Sequence, residues 1–127
     1  MLPPQLPLVT PAQSKLLKAA GFDWPCIMRY EDDRLLKSFF TNHNLIDAED
    51  TSSAPAIVIA LKWFRDVKEE NCWVSFAPAT GIWHFSIESG YNGFFDTYEA
   101  AESALLDALL NSLISLNSSN SLTPPNQ

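Results

Sequence analysis

The stretch that decides the fold runs Cys72-Trp73-Val74-Ser75-Phe76-Ala77, then Pro78-Ala79-Thr80-Gly81, then Ile82-Trp83-His84-Phe85-Ser86-Ile87-Glu88-Ser89. Two runs that alternate apolar and polar residues flank a short turn, which is typical of a β-hairpin. Closing the turn with Ala77 opposite Ile82 makes three further apolar pairs, Phe76–Trp83, Val74–Phe85 and Cys72–Ile87. Because side chains alternate between the faces of a strand, these pairs predict the buried face of the hairpin.

The opposite face of the hairpin carries Trp73, Ser75, His84, Ser86 and Glu88. Trp73 has three interpretations: it packs against another element or a second copy of the chain, it anchors a protein partner, or it stacks on a base. The serines, His84 and Glu88 match the residue types of a Ser–His–acid hydrolase. Neighbouring strand positions rarely form a site of the necessary depth, so exposed polar residues are the simpler interpretation.

Helices are predicted on both sides of the hairpin. The preceding helix spans residues 54–69, with Ser53 as its N-cap and with Lys62–Asp66 and Arg65–Glu69 as i,i+4 pairs. Its core face follows helical spacing and consists of Ile57, Ala60, Leu61, Phe64 and Val67.

After the hairpin, Phe94-Phe95 predict a brief third strand, and Asp96-Thr97-Tyr98-Glu99 predict the capping box of a final helix. The core stripe of that helix is Ala101, Ala104, Leu105, Ala108 and Leu109. A broader apolar surface, which predicts burial on more than one side, comes from Leu106, Leu110, Leu113 and Ile114.

The first third of the chain is predicted to hold a helix and two strands. The helix begins at the capping box Thr10-Pro11-Ala12-Gln13 and ends at Gly21. Residues 26–31 and 34–40 read as strands joined by an acidic turn, and residues 41–53 read as a loop.

We therefore predict one α+β domain over residues 10–114, in which helices cover a small antiparallel sheet. The element order is α-β-β-α-β-β-(β)-α. A Pro-rich arm, residues 1–9, precedes the domain, and a disordered Ser/Asn/Pro tail, residues 115–127, follows it.

The net charge of −7 at pH 7 belongs to the second half of the chain. Residues 1–68 hold eight acidic and eight basic residues, whereas residues 69–127 hold seven acidic residues and no Lys or Arg. Phosphate contacts need Lys and Arg, so the distribution counts against nucleic-acid binding through residues 69–127. The simplest interpretation is that this negative charge only keeps the protein soluble.

The residue pattern predicts no cofactor and no metal. Cys26 and Cys72 lie too far apart for a metal or redox motif and are expected to be free buried thiols. The acidic clusters at 32–33 and 47–50 lack EF-hand spacing, and no Gly-rich phosphate loop occurs. The longest apolar run, residues 54–61, is far shorter than a membrane span. We expect a cytoplasmic protein without membrane contact.

Three segments occur in order: Lys18-Ala19-Ala20-Gly21-Phe22-Asp23-Trp24-Pro25-Cys26, Ala60-Leu61-Lys62-Trp63-Phe64-Arg65, and Phe95-Asp96-Thr97-Tyr98-Glu99-Ala100-Ala101-Glu102. Together they resemble a family of uncharacterised small proteins from Bacteroidales genomes and their phages or mobile elements, with GFDxPC, WFR and FDTYEEAE patterns. The chain departs from that family at Trp24 and Ala100, where the family usually has Glu. The resemblance covers most of residues 13–114. It implies an intracellular location and a connection to phages, and it implies no activity.

The order of the last two helices and the strands between them resembles that of a double-stranded-RNA-binding domain (dsRBD-like α-β-β-β-α). Those domains place basic residues at the start of the final helix, where this chain has Asp96, Glu99 and Glu102. The resemblance therefore implies a topology and not a function.

These observations favour a non-enzymatic binding protein that contacts a protein partner through its acidic second half. The candidate binding residues are Trp73, His84, Glu88, Glu99 and Glu102, and all three acids are expected to be exposed. Two alternatives stay open: a nucleic-acid-associated protein that uses the basic first half, and a small hydrolase built on His84. The identity of the partner and the oligomeric state stay open as well.

Overall fold

Each half of the chain builds its own antiparallel sheet, and at least one helix packs against each sheet. The computed structural model describes residues 6–46, 48–87 and 92–122. The helices of this described part are α1 (Pro11–Ala20), α2 (Ile57–Asp66) and α3 (Tyr98–Leu122). Its strands are β1 (Cys26–Glu31), β2 (Arg34–Thr41), β3 (Thr51–Ser53), β4 (Cys72–Ala77), β5 (Ile82–Ile87) and β6 (Asn92–Phe95).

The strand orders are β2-β1-β3 in the first sheet and β4-β5-β6 in the second. Every strand pairing is antiparallel, which confirms the α+β class. The dsRBD-like order of α2, three strands and α3 is also present. The sequence predicted one small sheet and did not anticipate that the strands divide into two.

The hairpin register is confirmed at each predicted pair. Ala77 lies opposite Ile82, Val74 opposite Phe85, and Cys72 is paired in the same register with the last residue of β5. Phe85 and Ile87 are buried against α3, as the alternation predicted. The predicted burial of Phe76 was wrong: it lies near the turn and is 45% exposed. The strand β6 then extends the sheet beyond β5.

Gly93 in β6 is required by the packing around it. It lies opposite Phe85, whose ring stacks on that of Phe95 with centroids 5.7 Å apart. A Cβ at residue 93 would lie 2.5 Å from Cε2 of Phe95 and 3.0 Å from Cε2 of Phe85. The glycine therefore lets two aromatic rings cross the strand on its buried face.

The predicted loop at residues 41–53 contains regular structure. A 3-10 turn, His43–Leu45, precedes β3, which pairs with β1 on the side away from β2. His43 is buried: its Nε2 lies 2.8 Å from the carbonyl oxygen of Cys26, and its amide donates to Ser53 Oγ at 3.1 Å. The prediction of a plain loop was wrong because hydrogen bonds between polar groups, rather than an apolar period, hold this strand.

The ammonium group of Lys18 anchors the segment that leads into β3. Its Nζ donates to the carbonyl oxygens of Ile46, Ala48 and Thr51 at 2.8, 2.8 and 2.7 Å. An ammonium group has three donors, so these three contacts satisfy it completely. One side chain of α1 thus holds three separate carbonyls of an irregular segment.

Helix α2 begins later than predicted, and main-chain groups cap it. Its N-cap is Ala56, which has no side-chain cap hydrogen bond, and the predicted cap Ser53 lies in β3. The carbonyl of Pro7 instead accepts from the amide of Ile57 at 2.9 Å. The last part of the N-terminal arm therefore supplies the acceptor that a capping side chain usually provides.

The core face of α2 is confirmed for Ile57, Ala60, Leu61 and Phe64 and is wrong for Val67, which is half-exposed. The helix ends at Asp66, so Val67 no longer follows its stripe. Glu69 comes after the end of the helix, so the predicted i,i+4 pair of Arg65 and Glu69 does not form. The other predicted pair does form, with Lys62 Nζ 2.7 Å from Asp66 Oδ2.

Helix α3 begins with a different cap and extends further than predicted. Thr97 Oγ1 accepts from the amide of Ala100 at 3.1 Å, so Thr97 rather than Asp96 is the capping residue.

The helical backbone of α3 continues to Leu122, whereas the sequence predicted a tail without regular structure from residue 115. Residues 123–127 lie outside the described residues. Burial on two sides is confirmed, since Leu105, Leu106, Leu109 and Leu110 are all buried.

A buried glutamine joins the first helix to the last. The Oε1 of Gln13 accepts from the amide of Thr10 at 2.9 Å, which completes the predicted capping box of α1. Its Nε2 donates to the carbonyl oxygen and Oγ of Ser103 at 3.3 and 3.1 Å, and to Asp107 Oδ1 at 2.9 Å. The residue that caps α1 therefore also positions α1 against α3.

Lys18→Met is expected to lower the free energy of unfolding by about 2 kcal/mol, because it removes a charged donor from three carbonyls, two of them in partly buried positions. The control is Lys15→Met on the same helix, where the side chain is exposed, and it should have almost no effect. Urea denaturation measures both variants. Equal stability of the two variants would contradict the anchoring role of Lys18.

Val74→Asp is expected to destabilise the protein by about 2–3 kcal/mol, because it places a charge against the core beside Phe85. Ser75→Asp, one residue along on the opposite face, should cost less than about 1 kcal/mol. Thermal melts of the two variants test the assignment of the faces. A larger loss for Ser75→Asp would reverse it.

Candidate functional site

The face of the second sheet that points away from α3 carries exposed aromatic side chains. We call it the outer face, and it consists of Trp73, Ser75, His84, Ser86 and Phe94. Trp73 is 52% exposed and Phe94 is 77% exposed. They lie on the two edge strands, with His84 on the strand between them. The sequence predicted this face for Trp73 and His84, and β6 adds Phe94 to it.

The outer face brings His84 and Ser75 together. The Nε2 atom of His84 lies 3.2 Å from Ser75 Oγ, across the β4–β5 ladder. Glu88, the predicted acid of this group, lies outside the described residues. Ser75 and His84 are half-buried on the sheet surface, and they do not line the cleft described next.

A cleft of about 320 Å³ opens where α2, β4 and the start of α3 meet. We call it the edge cleft. Its polar lining comes from Arg65, Cys72, Tyr98 and Glu102, and Trp73 also lines it. Apolar walls are provided by Val58, Leu61, Val74 and Leu105. The structure thus places two of the predicted binding residues, Trp73 and Glu102, at one cavity.

Glu102 is 4% exposed, so the prediction that it is an exposed acid was wrong. Glu102 follows the buried Ala101 on the side of α3 that faces α2 and β4. The capping pattern that suggested exposure depends only on the residues at the start of the helix, so it could not predict burial by these two elements. The hydroxyl of Tyr98 donates to Glu102 Oε2 at 2.7 Å. Within residues 6–46, 48–87 and 92–122, no cationic side chain lies within 4.0 Å of this carboxylate.

The hydrogen bond to Glu102 raises the pKa of Tyr98, because the bond holds the neutral phenol in place. Desolvation and the negative charge of Glu102 raise the pKa of Tyr98 further, while the positive charge of Arg65 lowers it. Both charges therefore act on one phenol at the mouth of the cleft.

Arg65 and Cys72 meet on the other side of the cleft. Nη1 of Arg65 lies 3.8 Å from Cys72 Sγ. Burial raises the pKa of the Cys72 thiol, and the bond to Arg65 only partly offsets this. Reactive cysteines have lowered pKa values, so this thiol has the properties of a structural side chain. Both cysteines are free and buried, as predicted.

Glu99 is exposed in the first turn of α3, as the sequence predicted, and it does not line the cleft. The sequence did not identify Arg65, Cys72 or Tyr98 as site residues. The i,i+4 spacing of Tyr98 and Glu102 was a usable signal for one of these contacts. The approach of Arg65 to Cys72 depends on how α2 packs beside β4, and no local pattern shows it.

The described residues hold no grouping of three or more His, Cys, Asp or Glu side chains suited to a metal ion. Within the same part of the chain, no helix is long and apolar enough to cross a membrane. No protein-family model, curated protein or solved structure matches this sequence or fold. The site must therefore be interpreted from its own geometry.

Glu102→Gln is expected to lower the pKa of Tyr98, because it removes the charged acceptor that holds the phenol neutral. The raised pKa of folded Tyr98 gives stability that is complete below about pH 10 and is lost as pH rises through the folded pKa. The variant should therefore lose less stability in that alkaline range. Absorbance titration near the tyrosinate band measures the shift, and Tyr98→Phe identifies the signal. An unchanged Tyr98 signal would show that Glu102 does not govern it.

Proposed function

We propose that this chain is a non-enzymatic binding protein that docks a protein partner with a basic surface on its outer face. The observation that carries the proposal is the exposure of Trp73 and Phe94 on the two edge strands of one sheet. Large aromatic side chains are the commonest anchors of protein interfaces, because they bury much area at a small cost in conformational entropy.

The charge distribution supports a basic partner. Residues 69–127 contain the whole second sheet and α3, and they hold seven acidic residues without a Lys or Arg. Glu99 is exposed at the start of α3. Complementary charge raises the rate of association and prevents binding of acidic competitors. The acidic character of this half then contributes to recognition as well as to solubility.

The structure gives less support to a nucleic-acid-associated function through the basic first half. Four of the eight Lys and Arg residues are already held by backbone carbonyls, a carboxylate or an aromatic ring. These are Lys18, Arg29, Lys62 and Lys68. Binding of phosphates requires basic side chains that are free to neutralise them. The other four, Lys15, Arg34, Lys37 and Arg65, are too few for a strong interface of this kind.

A hydrolase is also less well supported. His84 and Ser75 form a pair on a sheet surface and do not line the edge cleft. The thiol of Cys72 does lie in a cleft, but burial raises its pKa. The resemblance to a phage-associated family adds one further element to the proposal: such a small protein would act in the cytoplasm by occupying a site on a host protein, by analogy alone.

The test is quantitative capture of partners from the cytoplasm of the source cell, followed by binding measurements with the purified partner. Trp73→Ala combined with Phe94→Ala should weaken binding by at least about thirtyfold, since even one truncated interface anchor typically costs about 2 kcal/mol or more. Affinity should also fall as salt concentration rises, because charge complementarity is screened.

Phe39→Ala is the matched control, because Phe39 is an equally exposed aromatic residue on the first sheet. It should leave binding unchanged. Equal losses in the control and in the double variant, or recovery of nucleic acid in place of protein, would rule out the outer face as the docking surface.

A further inference from the structure

Two opposite charges line the edge cleft without pairing with each other. Glu102 has no cationic side chain within 4.0 Å among the described residues, and Arg65 has no carboxylate within that distance there. The acid that sequence spacing offered to Arg65, Glu69, comes after the end of α2. A single cavity thus presents an anion and a cation that are both available to an occupant.

The carboxylate of Glu102 can accept further hydrogen bonds. Glu102 is almost completely buried, and the bond from Tyr98 occupies only part of its acceptor capacity. The oxygen that Tyr98 leaves free has no other donor among the described residues, so a ligand with an ammonium group would supply a charged hydrogen bond there. The ammonium group alone is not enough, because Arg65 would repel an occupant that carries only positive charge.

The walls of the cleft restrict the occupant further. Val58, Leu61, Val74 and Leu105 are aliphatic, and Trp73 lines the same cleft. A volume of about 320 Å³ is at the lower end of ligand cavities, which range from about 300 to 1,000 Å³. It suits a small molecule with one apolar side chain and is too small for a nucleotide.

We propose that the edge cleft binds a free α-amino acid with an apolar side chain. The ligand's ammonium group binds Glu102, its carboxylate binds Arg65, and its side chain contacts the aliphatic wall around Leu61 and Leu105. Binding in this cleft does not require the docking of a partner on the outer face. Trp73 belongs to both surfaces, so an occupied cleft would fix the orientation of an anchor residue.

The test uses the full chain and three probes of similar shape: L-leucine, isoamylamine, which lacks the carboxylate, and 4-methylpentanoate, which lacks the amine. Amide and indole N–H signals are followed by NMR, with Trp73→Phe to identify the Trp73 indole signal. Leucine should shift that signal saturably, and each single-charge analogue should bind at least about tenfold more weakly, because each lacks one charged hydrogen bond.

Glu102→Gln and Arg65→Gln should each weaken leucine binding by at least about tenfold, whereas Lys62→Gln on the exposed side of α2 should not. Arg65 is exposed, so its variant keeps the test valid if the buried substitution fails to fold. No saturable shift with leucine, or equal binding of isoamylamine and leucine, would overturn the proposal. Unchanged leucine binding in Arg65→Gln would overturn it as well. Failure of leucine binding while the partner still docks would overturn only this proposal. Failure of partner docking while leucine still binds would overturn only the proposed function.

Discussion

The rest of the structure depends on the packing of α3 against both halves of the molecule. The helix contacts all three strands of the second sheet and also contacts α1 and α2. A sheet of a few short strands needs a hydrophobic face that is covered, for example by a packed helix, to be stable. Leucines on more than one side of α3, among them Leu105, Leu106 and Leu109, supply that surface to both neighbours. The second sheet and the N-terminal helix therefore share one core although the two sheets are not hydrogen-bonded to each other.

Polar contacts fix the orientation that apolar packing leaves adjustable. Gln13 bridges α1 and α3 by directional hydrogen bonds, which favour the observed alignment of the two helices. Ser14 on the next position of α1 bonds Ser52 and the carbonyl of Ser53, which sets the distance between α1 and β3. Buried polar groups with satisfied partners contribute little net stability and much specificity. In this fold they determine where the first sheet lies relative to the core.

The features that follow from a short-range period could be predicted from the sequence, and those that depend on a distant partner could not. Alternation gave the hairpin register, and local capping chemistry gave both ends of α1. The N-terminus of α2 is capped by the arm, so no residue near it carried the signal. The candidate site divides in the same way. Trp73 follows from strand alternation, whereas the burial of Glu102 depends on how α3 lies against elements far away in the sequence.

The bridge made by Gln13 also determines when the native state can form. Its partners on α3, Ser103 and Asp107, are 90 and 94 residues further along the chain. During synthesis α1 leaves the ribosome long before α3 exists, so its capping glutamine has no tertiary partner until Ser103 and Asp107 have been made. The arm must likewise wait for the start of α2 before Pro7 finds its donor. Contacts of such long range favour slow, cooperative folding once α3 is present, rather than stepwise folding of the N-terminal half.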